Sequence, residues 1–333
     1  MKTEIYGTFG PACGSEKILK KMIEMGMTGV RLNLSHTTLV ESKNYIENYQ
    51  RAAGEMGVKP QILIDMQGPE LRIGKLEEDL ELEMGDEILF GIIRNVTQIP
   101  VPQAVVESVE TGDEILLDDG KILARVVAVT KGTSFTAEVI RGGVLYSHKS
   151  IKVIGKNIAL PPLTKHDIDN IKVAKDYGVT AIMQPFVLNG DDLCYVRSIL
   201  KDYGAEHIQI FAKIENQIGV ENIESILPEA DVIIIARGDL GNDMPLWELP
   251  RVQKRIEDAC HKAGKPYIVV TQMLASMERN PVPTRAEVSD IYHAVYHGAW
   301  GVMLTGETAV GAYPVEAIRY LANTAEVAKE DIS

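Results

Sequence analysis

The 333 residues predict an α/β chain folded as a (β/α)8 TIM barrel, with a small β-barrel-like domain inserted after strand three. Three observations predict it. Eight short β-rich runs alternate with segments of helical period; several runs (ILID, VIII, YIVV) are apolar throughout; and most end in polar or charged residues. Strand–helix alternation builds parallel sheets, and strands covered on both faces lose their polar side. Barrel enzymes collect their chemistry at the carboxyl ends of several strands. An open doubly wound sheet shares the alternation, so the polar strand ends decide between the two.

In order, the strands are expected at Thr3–Phe9, Gly29–Leu34, Gln61–Met66, Ala181–Phe186, Ile208–Glu215, Asp231–Arg237, Tyr267–Met273 and Gly301–Thr305. Helical patterns follow near 15–26, 41–56, 166–177, 191–204, 219–227, 251–263, 286–298 and 314–330. Gly26, Gly57, Gly178, Gly204, Gly264 and Gly298 punctuate the helix ends. Residues 73–155 differ in composition: turn signals (MGDE, TGDE, DDGK, RGGV) separate short β-branched runs. That gives a barrel of residues 1–72 and 156–333 and an inserted β-rich module, 73–155, placed where a lid would overhang the active face.

Composition narrows the function classes. A formal net charge of −13 argues against nucleic acid and anionic membrane as partners, though not against an anionic substrate met by locally gathered cations. Cys13, Cys194 and Cys260 are scattered, with no CxxC pair, which suits a reducing compartment rather than a disulfide framework or zinc site. The N-terminus lacks a long apolar stretch and no run is long enough to span a membrane, so a cytoplasmic location is expected. GxxxxGK[ST], GxGxxG and HExxH are all missing.

The strongest local signal is AKIENQIGVENI, where Lys213 and Glu215, two apart at a strand end, share one face. A simple salt bridge is the plain alternative. IIIARGDLG then places Asp239 past the next strand, so Glu215 and Asp239 form a pair of hard oxygen ligands suited to Mg2+. Lys213 beside them would be a fixed charge for a transferring phosphoryl group or a developing enolate. In GVRLNLSH, Arg31, Asn33 and Ser35 project together; an inward Arg needs an anion or a carboxylate. Asn33, Ser35 and Asp65 suit a monovalent cation and a hydrogen-bond network equally well. Thr271 and Thr305/Glu307 also close strands, whereas Arg285 and Glu287 read first as helix capping beside Thr284. His293 and His297 have metal-ligand spacing without a third partner.

Taken together, TFGPA, GVRLNLSH, LIDMQGPELR, LLDDG, AKIENQIGVENI, ARGDLG, AGKPYIVVTQMLASM, PTRAEVSD and MLTGETAVGAYPVEA resemble the pyruvate kinase family, in collinear order over essentially the whole chain. The resemblance implies phosphoryl transfer from phosphoenolpyruvate to ADP, with Mg2+ (or Mn2+) and K+ as cofactors. It implies that Glu215 and Asp239 hold Mg2+, that Lys213 neutralises charge in flight, and that Arg31 holds the phosphate. Backbone amides at Gly238–Asp239 and the Thr271 hydroxyl would bind the carboxylate. Asn33, Ser35, Asp65 and the Met66 carbonyl match the potassium site, and Glu70 the acidic position that accompanies potassium dependence. His36, Arg72 and Lys149 fall where nucleotide phosphates are contacted, and Thr305 and Glu307 where a proton reaches the enolate.

There are departures from the family's usual residues. Gln67 and Glu4 replace Lys, Pro185 and Leu188 replace Ser and Arg, and Ser150 and Lys152 interrupt a Lys-Gly-Val-Asn run. The family's C-terminal regulatory domain has no counterpart, so the catalytic core alone is expected, without sugar-phosphate activation at that domain. A related 2-oxo-acid enzyme with another acceptor, and a non-catalytic phosphoenolpyruvate or nucleotide sensor, are the alternative readings. Homo-oligomer formation through the barrel is left open.

Overall fold

The computed structural model describes residues 3–35, 37–92, 98–118, 120–156, 158 and 160–332. Eight parallel strands close a barrel: β1 (Glu4–Thr8), β2 (Gly29–Asn33), β3 (Ile62–Asp65), β4 (Ala181–Gln184), β5 (Gln209–Ile214), β6 (Val232–Ala236), β7 (Tyr267–Val270) and β8 (Gly301–Met303). Each strand pairs with its sequence neighbours, and β1 pairs with β8. Alternation within the strands explains their apolar runs. Along β6, Val232, Ile234 and Ala236 point into the barrel, while Ile233 and Ile235 pack outward beneath the helices. The interior is filled by Tyr6, Leu63, Met183, Phe211, Ile268 and Met303. Trp300 meets Phe211 edge-on at 6.2 Å between ring centroids.

Helices over Glu16–Glu24, Lys43–Glu55, Lys165–Ala174, Gly190–Asp202, Leu249–Ala263, Arg285–Tyr296 and Pro314–Glu330 cover the outside. Their starts follow from capping chemistry: Thr164, Asn189 and Thr284 each complete a capping box with an acidic residue three positions on. The helical pattern expected over 219–227 is divided between Gln217–Glu221 and Ile223–Ile226.

Several strands stop earlier than their apolar runs suggest. β4 ends before Phe186 (φ 53°), and β7 before Thr271 (φ 79°) and Gln272 (φ 55°). A left-handed residue cannot continue a strand, and for a β-branched Thr it is an outlier. Short helical turns beyond the helical patterns read from sequence follow β6 (Arg237–Asn242), β7 (Ala275–Glu278) and β8 (Gly306–Ala309). None is long enough to show a 3.6-residue period in sequence.

The chain divides into two compact units, residues 1–68 with 162–333 and residues 69–161. The second unit contains a six-stranded sheet in the order Ile151–Val153, Glu114–Leu117, Ile122–Thr130, Ser134–Arg141, Glu87–Gly91, Ile99–Pro100. A two-stranded sheet pairs Gly143–Leu145 with Leu80–Leu82. Phe90 and Phe135 stack 4.8 Å apart in its core. Residues 69–72, which the composition shift leaves with the barrel, cluster with this unit because hydrogen bonds tie them to it: Ile151 N donates to Leu71 O at 2.9 Å and Arg72 Nη1 to His148 O at 2.8 Å. Two of its turns repeat one device. Asp86 and Asp113 each follow a left-handed glycine and accept a hydrogen bond from the backbone of Glu83 and Glu110.

Phe211→Ala would empty the middle of the barrel, and a loss of about 3–5 kcal/mol is expected in denaturant unfolding; a change below about 1 kcal/mol would mean the interior collapses around the gap.

Candidate active site

Register places the polar strand ends beside one another. β2 and β3 pair Arg31 with Leu63 and Asn33 with Asp65, so Arg31, Asn33 and Asp65 share a face. Arg31 reaches the Asp65 carboxylate through Nε (2.8 Å) and Nη2 (2.6 Å), and its Nη1 donates to Thr8 Oγ1 at 3.3 Å. Lys213, on β5, passes β4 to lie 3.1 Å from Asp65 Oδ1 and 2.9 Å from Glu215 Oε1. The charges therefore run Arg31–Asp65–Lys213–Glu215 through a largely buried space: side-chain exposure is 13% for each cation, 3% for Asp65 and 1% for Glu215.

Burial alone would raise the pKa of Asp65, but Lys213 and Arg31 outweigh it and hold the carboxyl below the usual aspartate range. For Lys213, burial works against the charge and the carboxylates of Asp65 and Glu215 prevail, raising its pKa. Glu215 goes the other way. Burial, with the nearby Asp239 charge adding to it, pushes its pKa up to about 7 against the pull of Lys213.

The rest of the constellation lies in the segments just past the strands. Glu215 Oε2 accepts from Phe186 N at 2.8 Å, while Oε1 is buried and faces the Lys213 ammonium at 2.9 Å. Asp239 lies in the first turn of the Arg237–Asn242 helix. Arg237 donates to the Thr271 carbonyl (2.8 Å from Nη2) and to Asp290 (2.8 Å from Nη1), which holds Thr271 in its left-handed conformation. Gly238 and Thr271 are neighbours: a Cβ on Gly238 would stand 3.1 Å from Thr271 Cγ2. Asn33 Oδ1 accepts from Ser35 N at 3.1 Å, and Met66 N donates to Met183 O at 3.1 Å.

Glu307 is buried, and its carboxylate is committed to Leu274 N (3.0 Å), Thr305 N (2.8 Å) and Thr305 Oγ1 (3.2 Å). It ties the segment after β8 to that after β7. Glu287 fulfils its capping role and also accepts from Ser276 N at 2.7 Å.

In the second unit, Arg72 pairs with Glu70 at 2.5 Å and donates to His148 O at 2.8 Å. Lys149 pairs with Asp118 at 2.8 Å. The bridge between Arg72 and Ser150 makes Arg72 and Lys149 neighbours. His36 lies outside the described residues. Among the substituted positions, Pro185 packs on Gly68, whose missing Cβ would lie 2.3 Å from Pro185 Cγ. The sequence reading did not single out Thr8 or the Phe186 amide, although TFGPA contains the first.

Among the described residues, no three His, Cys, Asp or Glu side chains converge on a metal position. What the site offers is a carboxylate pair. Glu215 is buried beside the Lys213 ammonium, and Asp239 is close enough to raise its pKa. That fits Mg2+, which takes one or two protein carboxylates and completes its shell with water or phosphate oxygens. Register puts Asn33 beside Asp65, and Met66 follows in sequence; the Asn33 amide, the Asp65 carboxylate and the Met66 carbonyl are oxygen donors of the kind a monovalent cation takes, with Asp65 also engaged by Arg31 and Lys213.

Fold and site define a barrel protein with two largely buried cations, Arg31 and Lys213, interleaved with carboxylates at the strand ends. The chain belongs to the pyruvate kinase family, a phosphotransferase family: the model for the pyruvate kinase barrel domain matches residues 1–318. It is 39% identical over 338 residues to a pyruvate kinase of Bacillus licheniformis, covering 100% of this chain and 58% of that protein. To one of Geobacillus stearothermophilus it is 41% identical over 324 residues, 96% of this chain and 55% of that protein. To one of Clostridium perfringens it is 37% identical over 337 residues, 99% and 71%. The chain thus spans little more than half the length of the first two. Among the described residues, no helix is long and apolar enough to cross a membrane.

Asp65→Asn would leave two buried cations facing a neutral amide, and a loss of about 3–5 kcal/mol in denaturant unfolding is expected. Because the folded carboxyl titrates below its unfolded value, this contribution is complete above the ordinary aspartate range and lost as pH falls through the depressed one. An unchanged unfolding midpoint would show that the barrel does not depend on this carboxylate.

Proposed function

We propose that this chain carries out pyruvate kinase chemistry: the phosphoryl group of phosphoenolpyruvate passes to the terminal phosphate oxygen of ADP, and the enolate left behind takes a proton to become pyruvate. The supporting observation is Lys213, a buried ammonium held between Asp65 and Glu215 beside the Arg31 guanidinium. Its pKa is raised, so it stays charged throughout the neutral range. In a space this dry, a fixed cation acts strongly on charge that moves during reaction.

The residues divide the work by position. Arg31 binds the phosphate of phosphoenolpyruvate, and Lys213 stabilises charge that builds on the phosphoryl and enolate oxygens. The Thr271 hydroxyl and the amides of Gly238 and Asp239 bind the carboxylate. Thr305, aligned by Glu307, stands on the side of proton delivery. Arg72 and Lys149, neighbours in the second unit, bind nucleotide phosphate. Glu215 and Asp239 would hold Mg2+, and Asn33, Ser35, Asp65 and the Met66 carbonyl K+; bound there, the two cations would offset the negative charge of the substrates. Pro185 packs on Gly68, a structural role that gives no support to a different acceptor.

The direct test is pyruvate formation from phosphoenolpyruvate with Mg2+, with and without ADP, in K+ and in Na+. Formation that needs ADP and is favoured by K+ is expected. Binding of phosphoenolpyruvate without turnover would replace the kinase by a sensor. Lys213→Met is expected to lower kcat by about 100- to 1000-fold while Mg2+ still binds; unchanged kcat would remove Lys213 from the chemistry.

Mg2+ binding should also follow the Glu215 carboxyl. Since that group titrates near 7, affinity is complete above this pH and falls as protons compete below it, with proton release on binding. Calorimetry in two buffers of different ionisation enthalpy reads the released proton. A pH-independent affinity would remove Glu215 from the metal site.

A further inference from the structure

The carboxylate of Asp167 is fully buried, touches none of the reacting groups, and is surrounded by four donors. Oδ1 accepts from Gln67 N at 2.8 Å; Oδ2 accepts from Gly68 N at 3.1 Å, Thr164 N at 2.8 Å and Thr164 Oγ1 at 2.7 Å. The Thr164 contacts are ordinary helix capping. The other two are not, because they reach back about a hundred residues to the segment leaving β3.

A peptide unit is planar, and in the trans form its N–H and C=O point in opposite directions. The described residues contain no cis peptide. The amide that Gln67 directs at Asp167 belongs to the same peptide plane as the Met66 carbonyl. Whatever fixes that N–H therefore fixes the direction of that carbonyl, away from Asp167. The preceding plane is pinned separately, by Leu34 N to Asp65 O at 2.9 Å and Met66 N to Met183 O at 3.1 Å. Gly68 holds its own amide on the same carboxylate from a left-handed conformation (φ 64°), with Pro185 packed against it.

We propose that Asp167 is a positioning residue that aims the Met66 carbonyl, and through it sets the affinity of the Asn33/Ser35/Asp65/Met66 oxygen set for a monovalent cation. This rests on the K+ assignment made under the proposed function. Asn at position 167 has one acceptor oxygen in place of two and cannot serve donors on both sides. Loss of the bond frees the 66–67 plane to rotate.

The test titrates K+ at constant ionic strength against choline, reading the rise in thermal unfolding midpoint and, in parallel, pyruvate formation. For Asp167→Asn the half-saturating K+ concentration is expected to rise by about tenfold or more, as for other residues that orient metal ligands. Turnover at saturating K+ should change little. Thr164→Ala, which removes the cap hydroxyl but keeps the Gln67 and Gly68 contacts, should lower the midpoint without moving the K+ requirement. If Asp167→Asn does not fold, Asp167→Glu keeps the charge, displaces the oxygens by a methylene and reads the same shift. A K+ requirement unmoved by the Asp167 variants, or moved equally by Thr164→Ala, would overturn the positioning role. No K+ response in the unsubstituted protein would overturn the cation assignment itself and this proposal with it.

Discussion

The carboxylate of Asp65, buried at the end of β3 and gripped by Arg31 from β2 and Lys213 from β5, is the constraint on which the site depends. Burial of any one of these charges alone would be strongly unfavourable. Together they are stable, and the arrangement leaves little freedom in where each can sit. Arg31 must lie in register beside β3, Lys213 must cross β4, and Glu215 then falls under the same ammonium. The chain of alternating charge explains why two neighbouring carboxyls behave oppositely. Asp65 has two cations in contact and titrates low, whereas Glu215 shares one and faces Asp239.

Around this network the backbone departs from regular strand at Phe186, Thr271 and Gln272, and each left-handed position costs on the order of 1–3 kcal/mol unless the surroundings determine it. The surroundings do. The Phe186 amide is bound by Glu215, the Thr271 carbonyl by Arg237, and Leu274 N by Glu307. Buried carboxylates and a buried guanidinium thus act twice, as charges in the site and as clamps on the segments that line it. The packed barrel interior beneath is what allows those clamps to hold.

The barrel itself was legible because its signals are local. Apolar runs, capping boxes and glycine stops report strand and helix within a few residues. The same holds for the polar strand ends and for the composition shift that marks the insertion. The unit boundary at 68/69 was less so, because residues 69–72 are assigned by their bonds to residues 148–151 and not by composition. The short helical turns after β6, β7 and β8 escaped for a similar reason, being too short to repeat a helical period.

For the site, residue types at strand ends were enough to nominate Arg31, Asp65, Lys213, Glu215 and Asp239. They could not say which charge meets which. Lys213 and Asp65 are 148 positions apart and come into contact only when the barrel closes. Nor could sequence separate Glu307, whose oxygens are taken up in holding two loops, from a carboxylate free to exchange protons. Asp167 carried no signal in sequence, because Gln67 reaches its carboxylate only in the fold. The sequence by itself determined the periodic elements and the inventory of chemical groups, because both are written in short-range pattern. Only the tertiary structure decided pairing, burial and strain, because those depend on contacts between segments that the chain keeps far apart.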